Sequence, residues 1–227
     1  MRHALQAVLR RDLLLGWRGI GDTMAGLMFF AIIIALTPLA LGPDPDALQR
    51  IAPAILWIGV LIATLPQMEK LFARDAAEGA LDHIIMTPAP LPMIILTKTF
   101  AAWIIIGLPM TIAAPLFGTM LGLGLNCIGT VMIALAMGSF GLLLIGMLAA
   151  SLVLGARRSG ILMAVLVLPL AMPILIFGTA ATSASVMSAH AGEADAGSAL
   201  QLLAGVSLVF LAVAPWLTAI SLKQATE

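Results

Sequence analysis

Residues 126–154 read NCIGTVMIALAMGSFGLLLIGMLAASLVL, a run without a single charged side chain. A helix crossing about 30 Å of hydrocarbon needs about 20 mostly apolar residues, and this run exceeds that. Its apolar positions follow one another without alternation, which fits a helix and not a strand of a membrane barrel. Five more stretches of the same character surround it, at about 23–41, 50–67, 91–120, 160–182 and 199–222. Apart from Lys98, near the start of the third span, none carries a charge well inside it. The fold class is therefore all-α, a polytopic membrane protein of six spans forming a single domain over residues 1–227.

Whole-chain composition agrees. The 227 residues are 62% hydrophobic and 10% charged, whereas a soluble domain is about half apolar and about a quarter charged. The same figures exclude disorder. Formal net charge is zero, so nothing implies a nucleic-acid partner, and the single cysteine, Cys127, excludes a disulfide scaffold.

Orientation follows from the basic residues. Arg2, Arg10, Arg11, Arg18, Lys70, Arg74, Lys98, Arg157, Arg158 and Lys223 gather on one side, against Arg50 alone on the other. Both termini are expected in the cytoplasm. The external connections are small: a Pro-rich turn at 42–50, a tight hairpin at 121–125 and an Ala/Ser/Gly loop at 183–198. Residues 1–42 read as an uncleaved first helix rather than a signal peptide, since Pro43 follows Ala40-Leu41-Gly42 and the apolar run is long. Within residues 2–20, Leu5, Val8, Leu9, Leu13, Trp17 and Ile20 fall on one face, with Arg11 and Arg18 opposite. Arg2 and Asp12 interrupt the stripe. This pattern predicts an interfacial amphipathic helix lying along the lipid bilayer.

Chemistry is conspicuous by its absence. Arg50 at its edge aside, the spans hold no Asp, Glu, His or Arg, so a proton-coupled transporter would lack groups to carry its ion. None of Lys70, Lys98 and Lys223 has the glycine context of a phosphate-binding loop. Ser139, beside Gly138 and Gly141, fails the nucleophile-elbow spacing, and it reads, with Gly118 and Gly122, as a small-residue packing contact. His3, His83 and His190 are scattered, and Cys127 reads as a small apolar filler. The expectation is no catalytic site, no metal site and no cofactor held by this chain. Energy for any transport would come from another subunit. Pro169 and Pro173 mark a helix break in the fifth span, read as a static kink rather than a moving joint.

One segment stands apart. Residues 67–90, QMEKLFARDAAEGALDHIIMTPAP, form the longest cytoplasmic loop and the densest charge. Asp75, Glu78 and Asp82 would share one face of a short helix, with Ala77, Leu81, Ile84 and Ile85 apolar and Pro88 and Pro90 ending it. Pattern alone leaves two readings open, a docking surface and a solvated loop. The motif Asp75-x2-Glu78-Gly79-x-Leu81-Asp82-x2-Ile85-x2-Pro88 resembles the inner-loop signature of ABC-2-type exporter permeases. Further segments resemble the haem exporter B family of cytochrome c maturation: TPLALGPDPDALQ (37–49), RIAPAILWIG (50–59), EKLF (69–72) and VLPLAMPILIFGTAA (167–181). The likeness departs after Phe72, where Ala73-Arg74 stands in place of the family's more polar run.

That resemblance implies a permease subunit in the bacterial inner membrane, with ATP bound in a separate cytoplasmic ABC ATPase subunit. It implies a second haem-handling membrane subunit, a small membrane subunit and a haem chaperone as further partners, with haem handled by the complex. It also implies that Glu69, Arg74, Asp75, Glu78, Gly79, Leu81 and Asp82 contact the ATPase, the acids facing its basic groups. The rival readings are an ABC-2 permease for another cargo and a scaffold that moves nothing.

Overall fold

Glycine, proline and one aspartate punctuate the helices. The computed structural model describes residues 2–42, 44–81, 86–87, 89–154, 156, 159–191 and 196–225. Asp82, His83, Ile84, Ile85, Pro88, Arg157 and Arg158, all used above, lie outside the described residues. The first helix, α1 (Arg2–Arg18), is separated by Gly19 from α2 (Ile20–Leu41). Gly42, at φ 79°, then turns the chain where residues with a Cβ are disfavoured. Asp44 caps α3 (Pro45–Ala77), its carboxylate accepting from the backbone N–H groups of Asp46 and Ala47 at 3.1 and 3.4 Å. Pro45 sits in the first turn, where its missing N–H costs nothing. The remaining long helices are α4 (Leu91–Met120), α5 (Leu125–Leu152), α6 (Ser159–Ala191) and α7 (Ala196–Ala225).

Helices α2 to α7 each contain a stretch long and apolar enough to span a membrane, so the six expected spans are present. A chain crossing a membrane six times would have both ends on one side, here called the termini face. The connections are shorter than the sequence indicated. Residues 45–50 belong to α3 and 183–191 to α6, so helix takes up much of the expected external loops. Small polar residues there were read as loop, yet nothing in them prevents a helix from continuing past the apolar boundary. Gly122, at φ 78°, makes the α4–α5 hairpin rather than a helix-packing contact, and Gln49 donates to its carbonyl at 2.7 Å.

Helix α5 is the centre of the bundle. Of its spanning window 72% is buried, against 22% for α2 and for α6 at the edges. Between helices in lipid there is little hydrophobic drive, so close packing of small residues matters most. Gly138, Gly141 and Gly146 supply it: they receive the side chains of Trp57, Ile174 and Met68. Trp57, fully buried, lies against Gly138 of α5 and Gly178 of α6, and its indole N–H donates to Thr182 Oγ1 at 3.1 Å. Cys127 is buried as expected, its thiol donating to the Ser185 carbonyl at 3.2 Å. Ser139 accepts the Trp103 indole N–H at 3.0 Å, a packing role between α4 and α5. Helix α6 runs on as helix through Pro169 and Pro173. Outward positions such as Met28, Leu36, Val165, Ile176, Val209 and Trp216 are exposed and apolar, as a lipid-facing surface requires.

Candidate functional site

The charged segment after the second span is not a loop at its beginning. Helix α3 continues unbroken through Glu69, Lys70, Arg74 and Asp75 to Ala77. QMEKLFARDAA contains only good or tolerable helix formers, so leaving the apolar region does not end the helix. Glu78 is the cap residue, and Gly79 follows at φ 67°, the left-handed conformation that commonly terminates helices. The expectation that Asp75, Glu78 and Asp82 share one helix face is therefore corrected. A left-handed glycine separates the first two from the third, which lies outside the described residues.

Asp75 points inward. It is 4% exposed, and two cations from other helices meet it. Arg11 of α1 donates to Oδ1 at 2.9 Å, and Lys98 of α4 approaches Oδ2 at 2.7 Å. The second contact is an ion pair rather than an aligned hydrogen bond, since Oδ2 accepts none. Lys98, itself 5% exposed, donates to Asp12 Oδ2 of α1 at 2.8 Å. Arg11 also lies 3.7 Å from Asp12 and 3.8 Å from Glu78, and Arg74 donates to Glu78 at 2.9 Å. Burial works against the Arg11 charge, but the Asp75 hydrogen bond and the charges of Asp75, Asp12 and Glu78 outweigh it. Its pKa is held above the ordinary arginine value. Nearer solvent, Lys70 pairs with Asp22 of α2 at 2.8 Å.

Arg11, Lys70, Arg74 and Lys98 thus balance Asp12, Asp22, Asp75 and Glu78, so the cluster closes on itself with no net charge. It borders a cleft of about 290 Å³ at the termini face, whose inner wall is Ala102, Ile105, Ile106 and Met147. A second groove, lined by Ala7, Val8, Arg11, Glu78, Gly79 and Thr87, lies between α1 and the segment after α3.

Helix α1 is a helix as expected, and its apolar residues meet two surroundings. Leu5 and Val8 pack on the core, while Trp17, 76% exposed, faces outward as a lipid-facing ring does. Arg11, expected to project away, faces the bundle. The reason is Asp12, which disturbs the apolar stripe because it is the partner of Lys98. Gly16 on the same side receives Ile105 of α4.

The candidate residues named from the sequence therefore divide. Arg74, Asp75 and Glu78 come together with Arg11. Glu69 lies elsewhere, its carboxylate against Gly160 at the start of α6. Leu81 is 5% exposed in the core and anchors the segment rather than presenting it. Arg11, Asp12 and Lys98 were missed as site residues. The signals were present: a cation within an apolar span, and an aspartate interrupting an amphipathic stripe. Among the described residues no group of His, Cys, Asp and Glu is arranged to hold a metal ion.

Six helices long and apolar enough to span a membrane, packed about α5, with ionisable side chains gathered mostly at one face, define a multi-pass membrane protein. Residues 3–225 match the family model described as CcmB protein. A Bradyrhizobium diazoefficiens protein named "Heme exporter protein B" is 39% identical over 224 residues, covering 99% of both chains. The proteins of that name from Pseudomonas aeruginosa and Paracoccus denitrificans are 36% and 38% identical. They cover 98% and 96% of this chain and 98% of their own. The chain belongs to the CcmB protein family.

Proposed function

We propose that this chain is the membrane permease subunit of a haem-export complex serving cytochrome c maturation, with ATP hydrolysed by a separate subunit. Family membership carries this reading, with the relatives' printed name as haem exporters. The excess of basic residues on one side supports an orientation with both termini cytoplasmic, and the bacterial relatives support a location in the inner membrane. The termini face then meets the cytoplasm, and the groove beside Glu78 and Gly79 is the docking position for a cytoplasmic ATPase. A second haem-handling membrane subunit, a small membrane subunit and a haem chaperone complete the assembly, with haem held by them rather than by this chain.

Within the segment named from the sequence, the contact roles divide by exposure. Glu78 and Arg74 are half exposed and available to a partner, and Asp82 joins them by its place in the sequence motif. Asp75 acts from inside, already paired to Arg11 and Lys98. Leu81 and Gly79 set the path of the chain between them. Charge complementarity of this kind sets docking register and specificity more than affinity.

The test is isolation of the native complex from membranes carrying Glu78→Lys/Asp82→Lys. The double reversal should remove the ATPase from the eluate and abolish cytochrome c assembly, with membrane insertion unchanged. Retention of both would overturn the assigned contact. An unmodified complex that brings down an ATPase with no haem-containing partner would move the reading to another cargo.

A further inference from the structure

Lys98 is an unusual residue for its position. It lies seven residues into α4, about 10 Å along the axis from Leu91 at 1.5 Å per residue, and is 5% exposed. Its ammonium is shared between Asp12 of α1 and Asp75 of α3, at 2.8 and 2.7 Å. One buried cation therefore ties together three helices that are far apart in sequence. Stability does not account for such an arrangement, since well-packed apolar residues commonly serve as well or better. What an ion cluster adds is direction: charges fixed in a definite relative position that a greasy contact would let slide.

Two further observations give the tie a mechanical context. Asp75 stands in the last turn of α3, immediately before Glu78 and Gly79, so any displacement of that terminus acts on its carboxylate first. Just beyond Lys98, residues Trp103–Gly107 form a π-helical turn, with the Leu108 N–H reaching back to the Trp103 carbonyl. The widened turn sits ahead of Pro109, which has no N–H and would press on the Ile105 carbonyl in a regular helix. The Trp103 ring lies across Gly107, and Ile105 is seated on Gly16 of α1. π-turns are local distortions that recur at functional sites. Here one separates the part of α4 held by ions from the part that runs on to the α4–α5 hairpin.

Resting on the reading that an ATPase docks beside Glu78, we propose that Lys98 is a positioning residue that transmits displacement of the α3 terminus to α1 and α4, the π-turn at 103–107 being where α4 yields. Asp12 and Arg11 complete the tie by making α1 move with the same cluster. The transmitted motion is a rearrangement of packed elements with two discrete positions, as coupling between distant sites requires.

The experiment uses the whole complex, reconstituted with its ATPase in lipid nanodiscs, in a Cys127→Ser background. Spin labels at exposed Met86 and Ile220 read the segment after α3, and labels at Met120 and Leu202 read the far end of α4. Distances are measured with and without trapped nucleotide. In the otherwise unaltered chain both pairs should shift. With Lys98→Met the first pair should still shift and the ATPase still co-purify, while the shift of the second pair and cytochrome c assembly are lost. Lys98→Arg, which keeps the charge, should restore both. Asp12→Asn/Lys98→Met, which removes one charge of each sign and leaves Asp75 hydrogen-bonded to Arg11, covers the case in which the single variant fails to fold, and should be uncoupled in the same way. A second-pair shift that persists in either neutral variant would reduce Lys98 to a structural staple and overturn the inference. No shift of either pair in the unaltered complex would overturn the docking reading itself, and this inference with it.

Discussion

Trp57 offers the sharpest test of the packing argument. It is fully buried where α3, α5 and α6 meet, its ring seated on the missing side chains of Gly138 and Gly178 and its N–H donated to Thr182. In lipid, moving apolar surface between helices gains little, so the cost of truncation is chiefly the cavity left behind. Trp57→Ala opens a void on the order of 100–150 Å³, and at about 24 cal/mol per Å³ the loss is ~2.5–3.5 kcal/mol. Trp57→Phe keeps most of the volume and loses the hydrogen bond, which in membrane proteins averages about 0.6 kcal/mol and reaches about 1.7. Gly178→Ala would drive a methyl into the Trp57 ring. In the Trp57→Ala background that methyl enters the void instead, so the double variant should be less destabilised than the sum of the singles. The expected coupling is on the order of 0.5–3 kcal/mol, the range for residues in contact. Unfolding equilibria in bicelles, followed by steric trapping, measure all four corners of the cycle. Additivity within about 0.5 kcal/mol would refute the claim that the glycine exists to admit the tryptophan.

Other expectations concern the termini face and use the same unfolding assay. Asp75→Asn should cost about 3 kcal/mol, the low end for breaking a buried pair, because Asp12 still faces Lys98. Glu78→Gln, in a half-exposed pair, should cost no more than about 1 kcal/mol; equal losses at the two positions would contradict the difference in burial. Gly79→Ala forces a Cβ into the left-handed region and should cost about 1–2 kcal/mol, and an unchanged stability would refute the turn. Leu81→Ala should cost about 2–5 kcal/mol, and a loss well below that range would mean the segment is not anchored in the core. Lys70→Ala removes an exposed pair with Asp22 and should cost less than about 1 kcal/mol, vanishing in high salt.

The membrane class and the number of crossings were legible in sequence because a spanning helix must satisfy its own backbone for about 20 apolar residues. That requirement is local, and the run at 126–154 states it without reference to the rest of the chain. Gly79 was read inside a short helix running from Asp75 to Asp82, and its left-handed φ of 67° ends α3 there instead. Helix ends were less legible: α3 passes its apolar boundary by a further ten residues, from 67 to 77, because helix propensity does not change at a membrane surface.

The direction of the charges was not legible at all. Asp75 and Glu78 look equivalent as neighbours in sequence, yet one is nearly sealed in the bundle and the other is half exposed. Lys98 was read only as a basic residue near the start of the third span that helps set orientation, and Asp12 as a flaw in an amphipathic stripe. Their meaning depends on α1, α3 and α4 converging at one point, with Asp12 and Lys98 eighty-six positions apart. Composition along a chain determines which segments enter lipid, because each segment meets lipid by itself. Which buried charge answers which is decided only by tertiary packing, because a charge in a low-dielectric interior is tolerable only beside a partner brought from elsewhere in the sequence.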